Sequence, residues 1–168
     1  MSEIHRFSLI YDPAEDRLGW DTEDQDGATT RLWLTQRLTR ALLTAILPMV
    51  RSSVATDLPA AHQATVQSWE QAAAMADFGK VPAVQTKTES TVGLVRQVNL
   101  TPKDDTMIVN FEFGEGETRT LGIGQPQLRQ TLTVIYRLHI AAQWPLDLWP
   151  DWIKDPSPAP SGETPVRH

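Results

Sequence analysis

The chain has 168 residues, of which 40% are hydrophobic, and this size fits one globular domain with its own core. It contains no cysteine, which excludes disulfides, thiolate metal sites and cysteine nucleophiles. Its net charge is −6, and residues 1–27 hold that whole excess, since eight of the 21 acids and two of the 15 bases lie there. No cluster of basic residues offers a face for duplex DNA, so binding to duplex DNA is not expected.

Nothing in the sequence predicts an association with membranes. The N-terminal residues lack the charged and apolar regions of a signal peptide. The longest apolar run, over residues 41–50, is about half of what crosses a bilayer, and Thr44 and Pro48 interrupt it. These features predict a soluble, cytoplasmic protein.

Three strands and a helix are predicted in the first part of the chain. Residues 4–11 alternate between apolar and polar, Leu18 and Trp20 begin a second strand, and residues 31–34 form a third. Turn residues fill the gaps at 12–16 and 24–27. Thr35 then caps a helix, and Pro48 is expected to break its last turn. The apolar stripe of this helix is wide: Leu38, Ala41, Leu42, Leu43, Ala45, Ile46, Leu47, Met49 and Val50.

The same order is predicted again further along the chain. Residues 60–78 are alanine-rich and form a connector helix, and residues 81–89 are expected to be an exposed approach to the second set of strands. In that set Val92, Leu94, Val98 and Leu100 are predicted to share one face of a strand. Residues 107–113 and 121–123 form the next two strands, and Gln125 opens the last helix.

The two sets align at a constant offset of 89 positions. Pro13 then matches Pro102, Gly27 matches Gly116 and Gln36 matches Gln125, and a slip of one residue aligns Leu38 with Leu128. We therefore predict an α+β fold of internally duplicated β-meander–helix units, with antiparallel sheet or sheets packed on helices. The pseudo-repeats are 4–50 and 92–142, inside a single domain over residues 1–154. A disordered tail is predicted for 155–168.

No motif in the chain carries chemistry. Residues 22–27 resemble a calcium-binding loop, but Thr22 and Trp33 stand where the first and twelfth ligands belong, so a hairpin turn is predicted. The histidines lack metal-ligand spacing, and the glycines at 122 and 124 form no phosphate loop. The sequence thus predicts no catalytic residue, no cofactor and no metal, and it favours a protein that is not an enzyme.

The remaining candidates are aromatic. Residues 144–153 hold three of the six tryptophans, and they either close the core of their own domain or dock on a partner. Trp33 lies on the opposite face of its strand from Leu32 and Leu34, so it is either covered by the connector helix or exposed as a contact residue. The predicted partner-binding residues are Trp33, Trp144, Trp149, Trp152, Asp147 and Asp151.

These features favour a non-catalytic adaptor, assembly factor or regulatory subunit that contacts another protein, whose identity the sequence does not reveal. One alternative is a small-molecule sensor or enzyme with a pocket between the two halves, lined by Tyr11, Trp20, Tyr136 and His139. Another is a single-stranded nucleic-acid binder that uses Arg31, Trp33, Arg96 and Arg119. The width of the stripe on the first helix also suggests a homodimer.

Overall fold

A computed structural model describes residues 2–50 and 58–158. Residues 159–168 of the predicted tail (155–168) and the stretch 51–57 before the connector helix lie outside these residues. The first half contains three strands and a helix: β1 (Ser2–Asp12), β2 (Arg17–Asp24), β3 (Thr29–Thr35) and α1 (Gln36–Ile46), followed by a 3-10 turn (Leu47–Met49). The connector helix is α2 (Ala60–Ala76). The second half contains β4 (Thr91–Lys103), β5 (Thr106–Phe113), β6 (Glu117–Gly124) and α3 (Gln125–Ala142), with a short helix α4 (Asp151–Lys154) after it.

Local chemistry sets the helix boundaries, as predicted. The Thr35 hydroxyl accepts the Leu38 N–H at 3.2 Å and caps α1. α1 ends before Pro48, which lies in the 3-10 turn. Pro126 lies in the first turn of α3, and Gln143 ends that helix in the left-handed conformation.

The six strands close into a barrel, which corrects the prediction of purely antiparallel sheets. Strands within each half run antiparallel, but β3 pairs with β4, and β1 with β6, in parallel. The parallel joints are short, with two residue pairs between β1 and β6 and four between β3 and β4. No turn encodes these joints, because β3 and β4 are separated by α1 and α2.

One hydrophobic cluster takes side chains from the inner faces of both halves and from α1 and α3. Leu32, Leu34, Leu43 and Phe111 are fully buried in it. Leu42, Leu43, Ile46 and Val50 of the α1 stripe are buried in the protein's own core, whereas Ala41 and Ala45 are exposed. The homodimer stays a prediction. No helix in the described ranges is both long and apolar enough to cross a membrane.

The registers of β2 with β3 and of β5 with β6 correspond at the offset of 89, whereas the pairing of β4 with β5 is shifted by two residues from that of β1 with β2. Arg17 pairs with Thr35 as Thr106 pairs with Gly124, and the remaining pairs of β2 with β3 follow those of β5 with β6. The joint pairs correspond as well: Ser2 with Arg119, and Thr91 with Thr30.

The helices follow the same offset without the predicted slip. Four buried residues of α1 are Thr39, Leu42, Leu43 and Ile46. The residues 89 positions later are all buried in α3: Leu128, Thr131, Leu132 and Ile135. The burial pattern thus makes Leu43, and not Leu42, the counterpart of Leu132.

The structure corrects the prediction that residues 81–89 are an exposed approach to the second set of strands. Val84 is 5% exposed, and its carbonyl accepts a hydrogen bond from the Ser8 hydroxyl at 3.3 Å. Thr86 accepts one from Arg31 at 3.2 Å. This extended segment covers part of the outer face of β1–β3.

Candidate partner-binding surface

Two of the predicted docking residues, Trp144 and Trp149, lie in the core. They are 5% and 3% exposed, and both pack edge-on against His139, with ring centroids 5.0 and 5.2 Å away. The indole N–H of Trp144 donates to the carboxylate of Asp16 at 2.7 Å. These contacts support the interpretation in which residues 144–153, here called the closing segment, fold back on their own core.

The other three predicted docking residues of the closing segment also contact their own chain. The half-buried Trp152 lies beneath the guanidinium of Arg129, 5.4 Å from the ring centroid. Asp147 is exposed and accepts two hydrogen bonds from Arg40, at 2.5 and 2.8 Å, which lower its pKa to about 2. Asp151 is exposed and lies 3.6 Å from Lys154. A docking role for these three residues stays a prediction.

Trp33 lies on the outer face of the barrel, in a row that crosses four strands. Ile10 pairs with Gly19, Gly19 with Trp33, and Trp33 with Leu94. A methyl group on Gly19 would come within 2.9 Å of the indole of Trp33 and 2.8 Å of Ile10. The missing side chain thus lets the indole lie against β2.

A second row runs beside the first. Ser8 pairs with Asp21, Asp21 with Arg31, and Arg31 with Val92. Arg31 donates two hydrogen bonds to Asp21, at 2.6 and 2.8 Å, which raise the pKa of the guanidinium. Its guanidinium also stacks on the Trp33 ring, 5.4 Å from the centroid. Arg31 therefore holds the indole in place from the side.

The uncovered end of these rows forms an apolar surface, the outer patch, which consists of Trp33, Val92 and Leu94. Val92 is 61% exposed and Leu94 43%, and Trp33 is half-buried. Large apolar side chains grouped on a surface mark binding sites more often than scattered ones do.

The prediction that Val92 and Leu94 share one strand face with Val98 and Leu100 is wrong. A β-bulge between Val95 and Gln97 shifts the alternation by one residue. Val98 and Leu100 therefore face the core, whereas Val92 and Leu94 face outward. The sequence did not identify Gly19, Val92 and Leu94 as parts of an exposed surface. The position of Trp33 on the opposite strand face from Leu32 and Leu34 was a usable signal.

Beside the outer patch, β4 has an open edge. It pairs with β3 only through Thr91–Leu94, and no other strand in the described part of the chain pairs with that edge from Val95 to Lys103. Val95 is the only buried residue of this strand. Unpaired strand edges expose backbone groups that can bond to another chain.

The open edge is flanked by unpaired positive charge. Arg96 and Lys103 are exposed residues of β4, and Arg37 is exposed in the first turn of α1, a helix that contacts β4. None of the three has a carboxylate within ion-pair distance in residues 2–50 and 58–158. Seven other cations do: Arg6, Arg17, Arg31, Arg40, Lys80, Arg129 and Lys154.

The residues expected to line a pocket between the halves do not meet around one. Trp20 packs on Phe7 and Phe111 in the core, Tyr11 contacts Trp144, and His139 contacts Trp149. The space between α1, α3 and the strands measures about 10 Å³, roughly the volume that one water needs.

A larger cleft of about 910 Å³ lies between α2 and the start of α3. Its charged lining residues are Glu70, Asp77, Asp105 and Arg129. Glu70 bonds to Arg129, and Asp77 to Lys80, so three of these four groups are already paired within the protein. The cleft has the volume of a ligand site without the open polar cluster that such sites usually contain.

The arginines proposed for nucleic-acid binding do not form one platform. Arg31 and Arg96 belong to the outer face, but Arg119 donates a hydrogen bond to Thr30 at 3.3 Å and stacks over Phe113, both buried residues.

The calcium-like residues form the β2–β3 turn, in which the Asp24 carboxylate accepts two backbone N–H groups.

Searches against known protein families, curated proteins and solved structures found no match for this chain.

Proposed function

We propose that this protein is a non-catalytic binding protein, an adaptor, assembly factor or regulatory subunit, that contacts another protein through the outer patch. The observation that carries the proposal is the group of Trp33, Val92 and Leu94 on the outer face. Tryptophan is enriched among the residues that dominate binding energies, because it buries a large area with few rotatable bonds.

The ordering of Trp33 before any partner arrives supports this role. Its ring rests against Gly19 and Ile10 and is stacked by Arg31, whose own position is set by Asp21. A side chain that is already held in place loses less entropy on binding. Of the six residues predicted from the sequence, we propose Trp33 as the one that contacts the partner, with Trp144 and Trp149 serving the core.

Capture of partners from the native host tests the proposal. The bait carries Leu94→Asp or Val92→Asp, and the matched controls carry Ile140→Asp or Val81→Asp, which alter apolar residues of comparable or greater exposure elsewhere. We expect the first two substitutions to reduce the amount of the specific partner by roughly tenfold or more, measured by quantitative mass spectrometry. The controls should leave it unchanged.

Equal capture by all variants would contradict the proposal, and so would an equal loss in the controls. Circular dichroism of each bait excludes unfolding as the cause of a loss.

We also infer that the two halves are copies of one unit. The register that β2–β3 shares with β5–β6 and the burial pattern that α1 shares with α3, both at an offset of 89, support a common origin. On this inference β4 is the counterpart of β1, which allows the surroundings of the two strands to be compared.

A further inference from the structure

We propose that the partner contributes an extended, acidic segment that adds as a strand to the open edge of β4, with its apolar side chains on the outer patch. This inference rests on the function proposed above and specifies the chemistry of the partner. Successive residues of an antiparallel strand alternate between bonding to their neighbour and directing N–H and C=O away from it. Beyond Leu94, the backbone N–H and C=O groups that β4 directs away from β5 pair with no described strand.

The sequence of β4 limits the length of this site. Edge strands are commonly protected by charges, prolines and bulges. Here the bulge and Arg96 stand at one end, and Pro102 and Lys103 at the other. Between them residues 97–101 carry none of these features, so the available edge is five residues long.

Charge identifies the kind of segment that fits. Arg37, Arg96 and Lys103 surround the open edge, and β4 has no acidic residue. Acidic side chains on the added strand would meet these cations, and opposite charges across strands stabilise the pairing. A second copy of the same edge would bring Arg96 and Lys103 of both copies together, and the nearest acids in sequence, Asp104 and Asp105, lie in the turn beyond the edge.

The first half already shows an extended segment on its outer face. The segment 84–87 bonds to Ser8 of β1 and to Arg31 and Thr29 of β3, the last through the Lys87 N–H at 3.4 Å. In the second half, no described segment takes the corresponding place, and nine of the 13 residues of β4 are exposed. The outer face of β4 beside the open edge is therefore the uncovered counterpart of a face that is covered on β1.

Selection of peptides from a random 12-residue display library with the full-length protein tests the inference. We expect enriched peptides that alternate apolar residues with Asp or Glu, and that bind through β4. Amide hydrogen exchange followed by NMR should show that alternate amides of residues 97–101 become protected when a selected peptide binds.

Two variants probe the charges. Arg96→Glu combined with Lys103→Glu should weaken binding of the selected peptide by about tenfold or more. Arg137→Glu, a reversal of an exposed arginine on α3, is the matched control and should change the affinity little.

The inference is overturned if no peptide is enriched, if the enriched peptides are not acidic, or if binding leaves the amides of β4 unprotected. It is also overturned if the protein dimerises through this edge in sedimentation experiments. If partner capture still depends on Leu94 in any of these cases, the proposed function stands and only the partner's chemistry is wrong. If capture is also independent of Leu94, both fail.

Discussion

At the scale of single residues, Gly19 shapes the outer patch by what it lacks. Its hydrogen atom leaves space that Ile10 and Trp33 fill from either side. The corresponding row of the second half reverses the arrangement, since Ile108 pairs with Gly122 there and neither residue is aromatic. The two halves therefore share a register, but only the first presents a tryptophan.

We expect Gly19→Ala to destabilise the protein by about 1–3 kcal/mol, because the added methyl forces Ile10 and Trp33 to move. The displacement of Trp33 should also reduce partner capture. Gly122→Ala is the matched control, since its nearest neighbours would stand 3.6 and 3.7 Å from the new methyl, at ordinary contact distance. Urea denaturation of both variants measures the difference, and equal stabilities would show that Trp33 does not depend on Gly19.

At the scale of elements, a buried guanidinium attaches α2 to α3. Arg129 is 3% exposed and donates hydrogen bonds to the side chains of Gln67 at 2.5 Å, Glu70 at 2.8 Å and Gln71 at 3.4 Å. Burial lowers its pKa, and the charge of Glu70 acts against that shift. Because Trp152 lies under the same guanidinium, Arg129 also links both helices to the closing segment.

Arg129→Ala should cost about 3–5 kcal/mol, because it leaves the carboxylate of Glu70 and the fully buried amide of Gln71 with fewer partners. We expect α2 to lose protection in hydrogen exchange while the strands keep theirs. Arg137→Ala, at an exposed position of the same helix, should change stability by about 0.5 kcal/mol or less. Uniform loss of protection along the whole chain would show that α2 is not a separable element.

The packing of the closing segment is expected to depend on pH through His139. Burial lowers the pKa of its imidazole, and its Nδ1 lies 2.9 Å from the carbonyl oxygen of Ile135, an arrangement in which a neutral ring donates from Nδ1. A histidine with a lowered pKa in the folded state stabilises the fold while it is neutral. That contribution declines as the pH falls below the ordinary value of about 6.5.

Tryptophan fluorescence during urea unfolding between pH 7.5 and 5 measures this effect, because Trp144 and Trp149 contact the ring. Stability should fall toward pH 5 in the native protein. The His139→Gln variant should lack the share of this pH dependence of stability that protonation of His139 causes. An unchanged profile in the variant would assign the dependence to another group.

At the scale of the whole molecule, the fold is complete only with the closing segment. Trp144, Trp149 and Ile153 are 5% exposed or less and belong to the same hydrophobic cluster as the strands. The hydrogen bond from Trp144 to Asp16 also joins this segment to the β1–β2 turn. The last elements of the chain thus stabilise the first.

Truncation after Gln143 should therefore abolish cooperative folding. Removing three core side chains costs roughly 5–9 kcal/mol at about 1.5–3 kcal/mol each, a large share of the stability of an ordinary domain. Circular dichroism and thermal unfolding measure the outcome, and truncation after Pro158 is the control that keeps every described residue. If the shortened chain unfolds cooperatively at the same temperature as the full-length protein, the closing segment is again a docking candidate.

The sequence by itself determined the elements, their order and most of their boundaries. A cap such as Thr35, a break such as Pro48 and an alternating strand depend on residues a few positions apart, so a linear pattern contains them. The same holds for the offset of 89, which the pairing of β2–β3 and of β5–β6 follows.

Only the tertiary structure decided which surfaces remain open. The parallel joints, the bulge after Val95 that turns Leu94 outward, and the burial of Val84 and Trp149 depend on contacts between residues far apart in the chain. Apolar residues such as Leu94 and Trp149 look alike in a linear pattern, because hydrophobicity records a tendency to be buried and not the element that does the burying. Packing of the closing segment on α3 buries Trp149, whereas the bulge leaves Leu94 at the surface, and the candidate site follows from that difference.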